Sequence, residues 1–209
     1  VATAPQASGF PDDAPVRDLL LDASGTLWVA TQGGLWRIGP EGATRVAPPV
    51  EADASVSVVA LVRQGDAVLA RTRAHGLWLV PGGVAQAHPD VPGCAGSGLA
   101  SGGGQLYMAC AEGIWRWAPG PGSWQPVSPE RGVVSIFADA SGALWFGMRE
   151  GLARWSEGRL EVRPRDRALF DWRARAFHED ARGGVWIGSY SGGLARLQRD
   201  SGAVVAASP

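Results

Sequence analysis

One phrase recurs along this chain, and its period restricts the fold more than any single residue does. It reads Asp22-Ala23-Ser24-Gly25-Thr26-Leu27-Trp28-Val29-Ala30 and is followed by Gly34-Leu35. It returns as Asp139-Ala140-Ser141-Gly142-Ala143-Leu144-Trp145-Phe146-Gly147, followed by Gly151-Leu152. A third copy is Asp180-Ala181-Arg182-Gly183-Gly184-Val185-Trp186-Ile187-Gly188, followed by Gly193-Leu194. Weaker copies centre on Val68 and Tyr107, so the equivalent positions 28, 68, 107, 145 and 186 lie 40, 39, 38 and 41 residues apart. A period near forty marks an array of supersecondary units that bury their faces against one another.

Each repeat divides into four short strands separated by turn residues. In the first, Val16 to Leu21, Leu27 to Thr31, Leu35 to Ile38 and Ala43 to Ala47 are the strands. Asp22 to Gly25 is a tight turn: aspartate bonds back to nearby amides, and glycine takes positive φ without a Cβ clash. The fourth repeat gives Val133 to Ala138, Leu144 to Gly147, Leu152 to Trp155 and Arg159 to Val162. No helical periodicity persists, and glycine and proline interrupt every apolar run. Short hairpins in a line would leave edges exposed, whereas radial stacking protects them. The expected fold is all-β: a β-propeller of five repeats, each a four-stranded antiparallel blade. A β-solenoid would recur faster. The repeats cover about 16–55, 56–95, 96–130, 131–172 and 173–209 of a single 1–209 domain. Residues 1–15 are a closure strand or the remnant of a preceding blade.

The recurring residues read as structural. The tryptophans at 28, 145 and 186 are expected between blades, with Tyr107 and Val68 substituting. The Gly-Leu or Gly-Ile pairs at 34–35, 76–77, 113–114, 151–152 and 193–194 turn the chain and drop an apolar residue into the layer between blades. Asp22, Asp139 and Asp180 cap turns; the longer oxygen-ligand pattern of a calcium loop is missing. His75, His88 and His178 lack metal-ligand spacing, so neither a metal nor a cofactor is expected.

Charge excludes two classes of partner. The formal charge is −1, all 19 basic residues are arginine, and the chain has no asparagine. This is the imprint of a GC-rich genome rather than a basic surface, and no nucleic-acid partner is expected. No apolar run approaches the 18 residues of a membrane span. Cys94 and Cys110 have the spacing for one disulfide in an oxidising compartment. A chain that begins Val1-Ala2-Thr3 is expected to have been processed or cut from something longer, tethered there through another segment.

Gly9-Phe10-Pro11, Val16 and the stretch Leu20 to Ile38 resemble the two-component regulator propeller repeat, "G-L-P-x-x-x-V-x-x-I-x-x-D-x-x-G-x-L-W-I-G-T-x-x-G-L-x-R". Leu27-Trp28-Val29-Ala30-Thr31 and Leu144-Trp145-Phe146-Gly147 carry its most distinctive strand. The resemblance implies an extracytoplasmic sensor region of a bacterial histidine kinase, hybrid two-component protein or diguanylate cyclase, and so the periplasmic or extracellular side of the cell. Such regions usually carry more than five repeats, so an excised piece, a stand-alone propeller and a divergent five-bladed form all stay open. An open arc of five blades would expose apolar sheet faces and require a partner or a homodimer.

A binding site is expected where the phrase breaks down. The loops between second and third strands carry Arg71, Arg73 and His75 in the second repeat, Glu112 in the third, Arg149 and Glu150 in the fourth, and Tyr190 in the fifth. Trp172 lies in a blade junction, as a core plug or a stacking platform. Charged and aromatic loop residues on a rigid scaffold are the usual means of recognition. The expected partner is a small molecule, a glycan or a protein on the loop-bearing face. Catalysis is not expected. The alternatives are a carbohydrate-acting glycosidase or lyase, with Glu112 and Glu150 as paired carboxylates and His75 as base, and a structural scaffold module.

Overall fold

The computed structural model describes residues 9–11, 13–49, 56–88, 98–118, 123–148, 151–164, 174–190, 193–198 and 204–207. It is an all-β propeller of five four-stranded antiparallel blades, in each of which the strands follow chain order. Contacts divide it into two compact units, Val1–Ser97 and Gly98–Pro209. Blade 1 is β1 (Val16–Leu21), β2 (Leu27–Thr31), β3 (Gly34–Gly39) and β4 (Gly42–Val46). Blade 2 is β5 (Val58–Gln64), β6 (Ala67–Thr72), β7 (Leu77–Val80) and β8 (Gln86–Ala87). These make up the first unit.

The second unit holds three blades. Blade 3 is β9 (Gly98–Gly102), β10 (Gln105–Cys110), β11 (Gly113–Ala118) and β12 (Ser123–Ser128). Blade 4 is β13 (Val133–Ala138), β14 (Leu144–Met148), β15 (Gly151–Ser156) and β16 (Arg159–Pro164). Blade 5 is β17 (Ala174–Glu179), β18 (Val185–Ser189), β19 (Leu194–Leu197) and β20 (Val204–Ala207). Among the described residues no helix is long and apolar enough to cross a membrane.

The repeated aspartate does more than cap its turn. Asp22 Oδ1 accepts the amides of Ser24 (2.9 Å) and Thr26 (3.0 Å), while Oδ2 accepts Trp28 Nε1 at 2.8 Å. Asp139 holds Ser141, Ala143 and Trp145 Nε1 in the same way, the indole at 2.9 Å. Asp180 holds Arg182, Gly184 and Trp186 Nε1, again at 2.9 Å. One carboxylate therefore closes the first hairpin and fixes the indole orientation in the second strand. The third strand adds a cation: Arg154 lies 5.5 Å from the Trp145 ring centroid and Arg196 5.9 Å from that of Trp186. Arg196 Nε also donates to Asp180 Oδ2 at 2.7 Å.

Once fixed, the aromatic residues pack against the following blade. Trp28 joins blade 2 residues Val56, Val58 and Leu61 in one buried cluster. Tyr107 joins Ile136, Leu144 and Phe146 of blade 4, and Trp145 joins Ala174, Val185 and Ile187 of blade 5. Polar latches run beside these layers. Asp18 Oδ2 accepts the Leu61 amide at 2.7 Å, Ser135 Oγ donates to the Ala174 carbonyl at 2.6 Å, and Glu179 Oε2 accepts the Ala140 amide at 2.6 Å.

The register corrects one equivalence read from the sequence. In blade 1, Trp28 pairs with Leu20 and Arg37, and a bulge precedes Thr31. In blade 2 the bulge precedes Thr72, and counting back from it puts Leu69, paired with Val62 and Leu79, at the tryptophan position. Val68 is one residue away and packs into the same cluster as Trp28 from the opposite side. Trp28 and Leu69 lie 41 residues apart, one more than the spacing to Val68. Leu69 and Leu79 replace tryptophan and arginine together, so blade 2 has exchanged the polar clamp for an apolar pair.

Two outcomes test the clamp. Trp145→Ala, which empties a buried site, should destabilise the fold by about 3–5 kcal/mol in a thermal or denaturant melt; an unchanged melt would contradict its packing role. The second concerns acid. Bonds from Ser24 and then Trp28 lower the Asp22 pKa to about 2. The Arg196 bond and then the Gly184 amide lower Asp180 well below the usual carboxylate range. Burial pushes Asp139 up, but the Ser141 and Trp145 bonds and two amides outweigh it and leave it low. A carboxyl depressed in the folded state, against about 3.9 unfolded, contributes stability above that value and loses it as pH falls toward its folded pKa. The melting temperature should therefore drop between pH 4 and 2, and less steeply in Asp22→Asn than in the parent chain.

Candidate functional site

The loops between second and third strands share one end of each blade with the start of its first strand. In blade 2 this loop is built on Thr72, whose Oγ1 donates to the Gly76 carbonyl (2.9 Å) and accepts the His75 amide (2.8 Å). Thr31 does the same in blade 1, donating to Gly34 O at 2.9 Å and accepting Gly33 N at 3.1 Å. The Arg73 amide donates to Ser57 O at 2.9 Å, tying the loop to the start of β5. Arg73 and His75 are thus held by backbone bonds while their side chains are exposed.

Arg71 is a correction. It was expected in this loop, but β6 continues through Thr72, and Arg71 pairs with Ala60 and Leu77. Val68 and Ala70 face blade 1, so alternation turns Arg71 to the opposite face of the sheet. It is 2% exposed, and burial lowers its pKa. The register gives its counterparts as Ala30, Ala109, Gly147 and Gly188, all small. A Cβ added at Gly147 would collide with Ser135 and Ala174, which is why the position is normally small.

The other predicted residues are distributed as follows. Glu112 is exposed in the two-residue turn between Cys110 and Gly113. Gly113 has φ 147°, and a Cβ there would meet the Ser128 carbonyl, so the turn demands glycine. Cys110 is disulfide-bonded; Cys94 lies outside the described residues. So do Arg149, Glu150 and Trp172. His75 belongs to the first compact unit and Glu112 to the second.

Tyr190 follows β18, is 67% exposed, and has the Arg175 guanidinium 5.3 Å from its ring centroid. Arg175 was not singled out in the sequence. It is the extra residue of a β-bulge, skipped between Ala174 and Ala176 in the pairing with β18. Arg17 is skipped likewise between Val16 and Asp18. Bulges re-aim a side chain and often sit beside functional sites. The only sequence signal is an arginine interrupting the start of an apolar first strand.

Asp18 is a latch rather than a site residue. Burial pushes its carboxyl above the usual range, against the lowering pull of the Leu61 and Leu19 amides. Among the described residues no three His, Cys, Asp or Glu side chains form a metal-binding group.

Comparison with known proteins places this geometry in context. Residues 9–33 match the sequence profile of the family described as "Two component regulator propeller". No curated protein sequence matches the chain. Among solved structures it is similar to the extracellular domain of a proposed hybrid two component system from B. thetaiotaomicron. The TM-score is 0.75 and the identity 17%, over 93% of this chain and 28% of that one. It is also similar to a catalytically inactive virginiamycin B lyase from Staphylococcus aureus with quinupristin (TM-score 0.72, 17% identity, 94% of this chain and 72% of that one). A third is a gluconolactonase from Xanthomonas campestris (TM-score 0.65, 19% identity, 86% and 70%). The chain is a propeller resembling two-component-system sensor domains, and it spans under a third of the two-component domain it matches. These structures divide between a sensor and two enzymes, so at such identities the fold does not decide the activity.

The loop architecture makes one prediction. Thr72→Val removes both hydroxyl bonds and should cost about 1–3 kcal/mol. The His75 amide should exchange with deuterium faster, while the exchange of β13–β15 amides stays unchanged. An equally protected His75 amide would show that Thr72 does not shape the loop.

Proposed function

We propose that this chain is a non-catalytic ligand-sensing or protein-binding propeller, working on the periplasmic or extracellular side of a bacterial cell. It recognises a small molecule, glycan or protein with the loop-bearing ends of its blades. The resemblance to two-component regulator propellers supports the sensing role and the location. The observation that carries the site is Tyr190, a large aromatic left 67% exposed yet oriented by Arg175. An exposed ring beside a guanidinium offers a stacking face and a fork of donors, which suits sugars, carboxylates and aromatic groups. The repeated positions make the scaffold, and Arg73, His75, Glu112 and Tyr190 project from it where the repeats differ.

The competing outcome is a carbohydrate-acting enzyme using Glu112, Glu150 and His75, given that a lyase and a lactonase share the fold. The test is a thermal-shift screen of sugars and sugar acids at millimolar concentration, repeated with Tyr190→Ala. A positive shift in the parent chain, reduced at least fivefold in apparent affinity by Tyr190→Ala, supports the proposal. Turnover of a sugar substrate that disappears in Glu112→Gln or His75→Ala overturns it. So does a ligand shift that Tyr190→Ala leaves intact.

A further inference from the structure

Blade 5 holds two arginines beside aromatic rings, and among the described residues only one of them has a carboxylate. Arg196 of β19 lies 5.9 Å from the Trp186 ring centroid. Asp180 Oδ2 accepts its Nε at 2.7 Å and the Trp186 indole N–H at 2.9 Å. A guanidinium rests by a ring, and a carboxylate closes the set. Arg175 lies 5.3 Å from the Tyr190 ring centroid. Among the described residues no carboxylate pairs with it. Both side chains are exposed, Tyr190 by 67%.

The backbone holds this second pair firmly. Ala174, fully buried, fixes the chain just before Arg175, because its carbonyl accepts Ser135 Oγ of blade 4 at 2.6 Å. A Cβ at Gly147 would collide with that same hydroxyl and carbonyl, so the contact depends on the glycine. Arg175 comes next, as the extra residue of the bulge, and a bulge re-aims its side chain out of the strand's alternation. Ser189 pairs with Ala174, and its amide donates to the Gly193 carbonyl at 3.0 Å. Tyr190 follows it directly. The two side chains are therefore carried by the residues next to one strand pair. Neither is required by the repeat. The bulge residue is Val59 in blade 2 and Val134 in blade 4, and Gln32 in blade 1 and Arg73 in blade 2 stand in the place of Tyr190.

We infer that Arg175 and Tyr190 anchor a binding site for a carboxylate carried on a ring. The ligand's carboxylate takes at Arg175 the place that Asp180 takes at Arg196, and its ring lies against Tyr190. This rests on the sensing role proposed above and names the chemistry that role reads. A guanidinium presents a planar fork of donors that matches a carboxylate with two parallel bonds. Holding the fork against an aromatic ring orients it before the ligand arrives, so less side-chain freedom is lost on binding. The tyrosine ring adds an apolar face with a polar tip. Two kinds of molecule supply this chemistry, a uronic acid and an aromatic acid.

The test is titration calorimetry of the full 209-residue chain with two matched pairs, glucuronate against glucose and benzoate against benzyl alcohol. In at least one pair the acid is expected to bind about tenfold more tightly than its neutral counterpart, as a charge-assisted hydrogen bond supplies. Its affinity should fall as salt is raised. The pair that shows the preference identifies the source. Arg175→Gln should abolish the preference with an unchanged melting temperature, and Arg175→Lys, which keeps the charge without the fork, should restore only part of it. Binding that Tyr190→Ala removes, but that is equal for acid and neutral ligand, overturns the inference and leaves the sensing role standing. A preference that Arg175→Gln leaves intact also overturns it, as does a parent chain that binds neither acid.

Discussion

The rest of the structure depends on a carboxylate shared between a turn and an indole. A four-stranded blade of strands no longer than seven residues has little area of its own to bury. It becomes stable when its second strand presents a large, correctly oriented aromatic residue to the next blade. Asp22, Asp139 and Asp180 supply that orientation by binding two turn amides with one oxygen and the indole N–H with the other. A buried indole N–H without an acceptor would cost about 1–3 kcal/mol. The same aspartate removes that cost and closes the hairpin. The arginine of the third strand then shields the ring from above in blades 4 and 5.

The clamp is replaced as a unit. Blade 2 has a Gly65-Asp66 turn, Leu69 where tryptophan stands, and Leu79 where arginine stands. Once the indole is gone, the turn carboxylate and the cation have nothing to satisfy, and a leucine pair fills the layer. Blade 3 keeps Tyr107 opposite Arg116 without an aspartate clamp, and its phenol is pushed up by burial and drawn down by that arginine. The blades without an aspartate–indole clamp also carry Arg71, the Thr72 to His75 loop and the bonded Cys110. Chemical novelty lies where the repeat has been relaxed.

Much of this was legible in the sequence. The turns were, because Asp-x-x-Gly has few conformations, and β1, β2 and β13 begin and end where the residues imply. The layer between blades was legible from its tryptophans. The indole bond was not, since spacing alone does not reveal that a residue six positions earlier curls back to the ring. Bulges were invisible for a related reason: Arg17 and Arg175 read as ordinary members of a period-two strand, and the extra residue emerges only in the pairing. Spacing alone also put the tryptophan-equivalent position of blade 2 at Val68 rather than Leu69, and put Arg71 in a loop although β6 runs through Thr72. Of the candidate site, Arg73 and Tyr190 were legible as exposed loop residues, while Arg175 was not, because its place beside the Tyr190 ring depends on the bulge in β17.

An array of this kind separates two demands that compete in a single-layer fold. Sheet faces must be apolar to stack, and edges must be polar to recognise. Here alternation along each strand assigns the faces to stacking, while the turn after the second strand carries Arg73 and His75 in blade 2, Glu112 in blade 3 and Tyr190 in blade 5. Loops can then change without touching the layers, which suits a scaffold shared by sensors and enzymes at under 20% identity.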